Sequence, residues 1–170
     1  MSETHEPGEF LVVRPGEATS FWQPVPANGH IEVAIDPSKV QMANPLAFGT
    51  QTVPPGGHVR EHSHDRHEEV VYFISGRGRA VLEGEEIPAK PGTAIFIGKS
   101  RRHMFINDGT EDLHWCWLIV PNGLEDFFRL IGRPRQAGEE APPNFPRPEN
   151  VLEIERRTVF AAQPADQRQP

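Results

Sequence analysis

The stretch Gly56-Gly57-His58-Val59-Arg60-Glu61-His62-Ser63-His64-Asp65-Arg66-His67-Glu68-Glu69-Val70-Val71-Tyr72-Phe73-Ile74-Ser75-Gly76 holds two strand-like segments around a short polar turn. Residues 59–64 form the first. Asp65-Arg66 makes the turn, and residues 69–75 are an apolar, β-branched and aromatic run that ends at a glycine. Four of the eight histidines of the chain fall within ten residues here: His58, His62, His64 and His67. His62 and His64 stand two apart, so on a strand both imidazoles leave the same face. Glu69 opens the next strand, where its carboxylate can reach back across the turn.

Working outward, further short strands are expected over 46–53, 79–82, 93–97, 103–107 and 113–120. Turn signals separate them: Pro54-Pro55-Gly56-Gly57, Gly76-Arg77-Gly78, Glu83-Gly84, Pro91-Gly92 and Asn107-Asp108-Gly109. Strands of this length and spacing imply an all-β sandwich or barrel. The apolar runs Phe10 to Val13 and Ile31 to Ile35 read as short strands of an N-terminal arm covering 1–40. The barrel is assigned to 41–121, and a helix with a proline-rich extended tail to 122–170. In the helix, Leu124, Phe127, Phe128 and Ile131 share one face, Asn122 is the expected N-cap and Gly132 the stop. Val151 to Glu155 is read as a last strand, and residues 1–9 and those beyond Ala161 as loose ends.

Composition narrows the field. The 170 residues suit one domain and carry a net charge of −7, so polyanions such as DNA, RNA and anionic membranes are poor partners. With 15 glycines and 18 prolines the chain is turn-rich. A single cysteine excludes an internal disulfide and a cysteine-based zinc knuckle. No run reaches the ~18 apolar residues of a membrane span, and the acidic start lacks the pattern of a secretory signal. A cytoplasmic location is therefore the expectation.

Two imidazoles and one carboxylate make up the facial ligand set of non-haem Fe(II) sites, and His103, at the start of a later strand, could complete the group. The order of these residues resembles the two motifs of the cupin superfamily. The first motif runs glycine, five residues, His-x-His, three or four residues, Glu, six residues, glycine. Here Gly56, His62, His64, Glu69 and Gly76 hold those positions. The second is matched by Gly92, His103 and Asn107, with Gly98 where the family has proline and Ser100 where it has glycine. The resemblance implies a jelly-roll barrel with a site inside its mouth, His62, His64, Glu69 and His103 as ligands of one metal ion, and a homodimer. The N-terminal arm and the C-terminal helix are the candidate interface.

Around that centre, Val71 and Phe73 share the inward parity of Glu69 and would wall the pocket. Phe105 shares the parity of His103 and either lines the pocket or packs in the core. Arg60, two residues before His62, either reaches inward to hold a substrate carboxylate or lies at a loop edge. His67 either faces the cavity as a proton carrier or caps the turn in solvent, the latter being favoured. Cys116 is taken as structural, and the parity of His114-Trp115-Cys116-Trp117 leaves open which face is inward. A metal-dependent dioxygenase acting on a small aromatic or enol-type molecule is the leading expectation. Fe(II) is favoured, with Mn, Ni, Co or Zn also compatible, and Glu69 is a possible base. The alternatives are a redox-neutral isomerase, lyase or decarboxylase, and a non-catalytic small-molecule-binding barrel.

Overall fold

The computed structural model describes residues 7–162. Eleven strands and two helices follow in chain order: β1 (Thr19–Trp22), β2 (His30–Ile35), β3 (Ala47–Val53), β4 (His58–His62), β5 (Glu68–Ser75), β6 (Gly78–Leu82), β7 (Glu85–Ala89), β8 (Ala94–Ile97), β9 (His103–Ile106), β10 (Leu113–Val120), α1 (Leu124–Ile131), β11 (Arg133–Arg135) and α2 (Val151–Arg157). They form a seven-stranded sheet in the order β11-β1-β2-β3-β10-β5-β8 and a four-stranded sheet in the order β4-β9-β6-β7. Every pairing is antiparallel. This is the jelly-roll barrel expected from the short strands.

The strict alternation of β10 decides what fills the barrel. Leu113, Trp115, Trp117 and Ile119 are buried, which settles the open parity, and His114 and Cys116 face outward. Phe73 and Trp115 from the large sheet meet Phe105 from the small one, with ring centroids 5.4 to 5.8 Å apart. Such tilted aromatic pairs add about 0.5–1.5 kcal/mol each beyond their burial, and this trio ties the two sheets together. Trp117 lies so close over β3 that a Cβ on Gly49 would sit 2.6 Å from its ring and 2.0 Å from the Glu32 carbonyl oxygen. Only glycine fits there.

The structure departs from expectation at several elements. Phe10 to Val13 forms no strand; Phe10 is exposed and the chain turns at Arg14 instead. β2 and the unforeseen β1 and β11 extend the large sheet, so the barrel architecture draws on chain outside 41–121. β7 was hidden by its polar sequence and Pro88, which an edge strand tolerates. Its hairpin with β6 turns at Glu83 and Gly84, both at positive φ, the geometry that matches strand twist. Residues 151–155 are helical, not extended. Val151, Ile154 and Glu155 fall at i, i+3 and i+4 and are the positions turned inward. Helix α1 lacks the expected Asn122 cap and begins after Gly123. The buried Glu125 folds back instead, its two oxygens accepting the Gly123 amide (2.7 Å) and the Asn122 side-chain amide (2.6 Å). The readings of residues 1–6 and 163–170 lie outside the described residues. Among those described, no helix is long and apolar enough to cross a membrane.

Candidate metal centre

His62 ends β4, and a β-bulge between Val59 and His62 sets its direction. The register there pairs Val59 with Phe105 and His62 with His103. Three steps on β4 thus match two on β9, so both Val59 and His62 stand beside inward residues despite their odd spacing. His64 lies just past the strand. Its carbonyl accepts the Ser100 amide (2.7 Å), which fixes the loop against the second motif. Ser100 itself sits at φ 62°, a conformation that favours glycine, which explains the residue the family prefers at that place. Asn107 is fully buried and donates to the Val53 and Glu111 carbonyls, so its role in the motif is to hold the turn. Glu69 is the first inward residue of β5.

These elements bring four sequence-predicted residues together. One ligand atom from each of His62, His64, Glu69 and His103 lies within 4.8 Å of all the others. Glu69 Oε2 stands 3.3 Å from both His64 Nε2 and His103 Nε2. His64, His103 and Glu69 are buried, and His62 is the partly exposed member facing the cavity.

Hydrogen bonding sets the chemistry of the imidazoles. His62 Nδ1 is 2.8 Å from the Arg60 carbonyl oxygen, His64 Nδ1 2.9 Å from that of Val159, and His103 Nδ1 2.9 Å from that of Arg101. A carbonyl only accepts, so each Nδ1 carries a proton and each ring turns its Nε2, the nitrogen left for a metal, to the centre. Burial, with His103 and His64 adding to it, pushes the pKa of His62 well below 6.5 and keeps that ring neutral. Three imidazole nitrogens and a carboxylate converging in a buried space make a set that could hold a cation. His103 Nε2 has no hydrogen-bond partner among the described residues. The donor set therefore fits a divalent transition metal ion.

The centre borders a cavity of about 670 Å³, its open mouth included, lined by His62, Glu69 and Phe105. Phe105 is thus both pocket wall and core. Val71 and Phe73 are fully buried and belong to the plug beneath the cavity, not to its wall, because strand parity gives the face but not the depth. Arg60 lines the cavity and pairs with Glu155 of α2 at 3.0 Å. His67 is found neither in this cavity nor in solvent. It is buried, with its ring 6.2 Å from that of His64, and it opens on a second, polar cavity with Arg66, Asn122 and Arg157. Sequence reasoning missed the C-terminal contribution. Arg147, Glu155 and Phe160 all line the metal cavity, and the Phe160 ring lies 5.1 and 5.2 Å from those of His62 and His64. The Ala161 amide donates to the Ser63 carbonyl at 2.8 Å, holding the segment across the site.

The family described as the cupin domain matches residues 49–120. The chain is 30% identical over 116 residues to the oxalate-binding protein of Thermotoga maritima, aligning 66% of itself with 96% of that protein. It is 28% identical over 81 residues to quercetin 2,3-dioxygenase of Bacillus subtilis, covering 48% of this chain but only 24% of that relative. Among solved structures, a predicted oxalate decarboxylase from T. maritima superposes with a TM-score of 0.57 at 26% identity, over 66% of this chain and 100% of that one. The polyketide cyclase RemF from Streptomyces resistomycificus has a like fold, with a TM-score of 0.59 at 18% identity over 79% of this chain and 90% of that one. The chain belongs to the cupin family, and its His/Glu cluster could bind a metal ion.

Proposed function

We propose that this cupin is a metal-dependent dioxygenase acting on a small aromatic or enol-type substrate, with Fe(II) as the favoured ion and Mn, Ni, Co or Zn compatible with the same donors. The observation that carries the reading is the convergence of three Nε2 atoms and the Glu69 carboxylate at the wall of a solvent-accessible cavity. A bound iron would supply open positions at which a substrate oxygen and dioxygen meet. The chain's residues do the rest. Leu124, Phe127 and Phe128 from α1, with Phe160, form an apolar wall for the ring or enol and keep water from it. Glu69 serves as a ligand or, alternatively, released from the ion, as the base that takes a proton from a substrate hydroxyl. The similarity to quercetin 2,3-dioxygenase supports the oxygen-using form. The test is oxygen uptake by iron-reconstituted protein across a panel of enols and phenols. Substrate-dependent consumption that is lost in His62→Ala supports the reading, and no consumption with any member overturns it.

A second reading is redox-neutral cleavage, such as decarboxylation. It is favoured by the similarity to a T. maritima structure described as a predicted oxalate decarboxylase. Turnover that persists under strict anaerobiosis would select it. Either enzyme is proposed to work as a homodimer. Phe48, Leu118, Val70 and Phe96 form a row across four strands on the outer face of the large sheet, with Val70 and Phe96 exposed. The apolar face of α1, by contrast, is already covered by the barrel.

A further inference from the structure

One side of the metal cavity sets two guanidinium groups on a single carboxylate. Arg60 Nη2 donates to Glu155 Oε1 at 3.0 Å, and Arg147 Nη2 donates to the same oxygen. The side chains are 27%, 17% and 11% exposed for Arg60, Arg147 and Glu155, so two guanidinium groups share one carboxylate with little water around them. Within this group of three one positive charge is left over, and leaving charge unpaired in such surroundings is costly. Each guanidinium carries five N–H donors, yet the side-chain hydrogen bonds of both, among the described residues, end on that single oxygen. Two further carboxylates line the cavity: Glu69 belongs to the metal centre, and Glu61 pairs with Arg102 at 3.8 Å.

A third donor points the same way. Gln23 lines the cavity and is 5% exposed; its Oε1 accepts from Gln51 Nε2 at 2.8 Å, while its own Nε2 has no partner among the described residues. Leu124, Phe127, Phe128, Ile131 and Phe160 give the same cavity an apolar side. We propose that Arg60 and Arg147 form a carboxylate-binding subsite for the substrate, with Glu155 as its resident counter-ion, so that the substrate is a monoanionic acid with an apolar body. The inference rests on the reading that this cavity is the active site. A carboxylate, not a phosphate, is the matching anion. The surplus is one charge, and Glu155 already shows that the two forks accept a carboxylate oxygen. Arg147 and Glu155 come from outside the barrel, so the C-terminal segment selects the substrate's charge.

The test is calorimetric binding of benzoate and phenylpyruvate, beside the neutral isostere benzamide, to the full-length protein without metal or oxygen. The acids are expected to bind at least tenfold more tightly than the amide. Arg60→Met and Arg147→Met should each bring that ratio close to one. Glu155→Gln, which removes the competing carboxylate, should tighten the acids severalfold and leave benzamide unchanged. Equal binding of acid and amide by the wild type, or no measurable binding of either acid, overturns the subsite. So does weaker acid binding in a Glu155→Gln variant with native circular dichroism, which would make the triad a latch for α2. Because the measurement needs no turnover, a failed oxygen assay leaves it standing. Oxygen uptake without an acid preference would overturn the subsite alone.

Discussion

Binding of a metal ion should stabilise this fold by an amount that can be worked out beforehand. An ion that binds only the folded chain contributes about 2.7 kcal/mol at one hundred times its Kd. For a domain of this size each kcal/mol moves the midpoint by about 2–4 °C, so the expected rise is roughly 5–11 °C. The structure says why the folded chain alone would bind. The three Nδ1 protons are fixed by the Arg60, Val159 and Arg101 carbonyls, and the Nε2 atoms meet Glu69 only in the native arrangement. The depressed pKa of His62 means that this ligand needs no deprotonation at pH 6.5. The assay is differential scanning fluorimetry of chelator-treated protein at pH 6.5 and 7.5, titrated with Mn, Co, Ni, Zn and anaerobic Fe(II). Two variants accompany it. His103→Ala removes a fully buried side chain and is expected to cost about 2–4 kcal/mol without metal. His62→Ala removes the partly exposed ligand at lower cost, so at least one variant stays folded for comparison. Both should lose most of the metal-dependent rise. A wild type whose midpoint moves with none of these ions, or variants that move as far as the wild type, would refute the reasoning.

Three more outcomes follow from particular residues. Burial and the neighbouring Arg135 bring the pKa of His30 down to about 4, so between pH 6.5 and 4 the unfolded chain binds a proton that the folded chain does not. Stability should therefore fall as pH drops through that window, by roughly half of the full 1.4 kcal/mol per unit once the partial exposure of the ring is discounted. Urea titrations of His30→Gln should show a shallower pH slope, and an unchanged slope would sink the assignment. Ser100→Gly relieves a non-glycine residue at φ 62° and should raise stability by about 0.5–1 kcal/mol, seen as a thermal midpoint a few degrees higher; a lower midpoint would contradict this. Phe96→Asp places a charge in the exposed apolar row of the large sheet, and light scattering should then report a dimer for the wild type and a monomer for the variant. A wild-type monomer, or a variant that still dimerises, would remove that face as the interface.

What was legible in the sequence depended on range. Strand alternation is local, and it put His62 with His64, and Val71 and Phe73 with Glu69, on shared faces; the resemblance to the cupin motifs said that those faces point inward. Alternation carries no information about height along the barrel. Val71 and Phe73 have the parity of Glu69 yet sit beneath the site, packed with Trp115 and Phe105. The bulge at Val59 to His62 is likewise invisible, because it is defined only against the register of β9.

The C-terminal segment was misread for a different reason. Residues 151–155 alternate well enough to suggest a strand, but their apolar and buried positions also fit a helix, and the choice falls to what they dock against. That partner is Arg60, 95 residues away in sequence. His67 shows the same limit. Its turn gave no sign that Asn122 and Arg157 would close over it. The motifs thus announce the ligand set of the centre, since its spacing is short and its geometry strict. The features that would choose a substrate are Phe160 over the imidazoles and the Arg60–Glu155–Arg147 group; Phe160, Arg147 and Glu155 come from chain outside the motifs, and Arg60 occupies a position the motif leaves free. Two cupins can share every ligand position and still differ in what they bind. Exchanging this chain's residues 143–162 together with Arg60 into a metal-binding relative should therefore transfer an acid preference while leaving the metal-dependent thermal shift unchanged. Loss of that shift instead would mean that the segment builds the centre itself, through the Val159 carbonyl that orients His64.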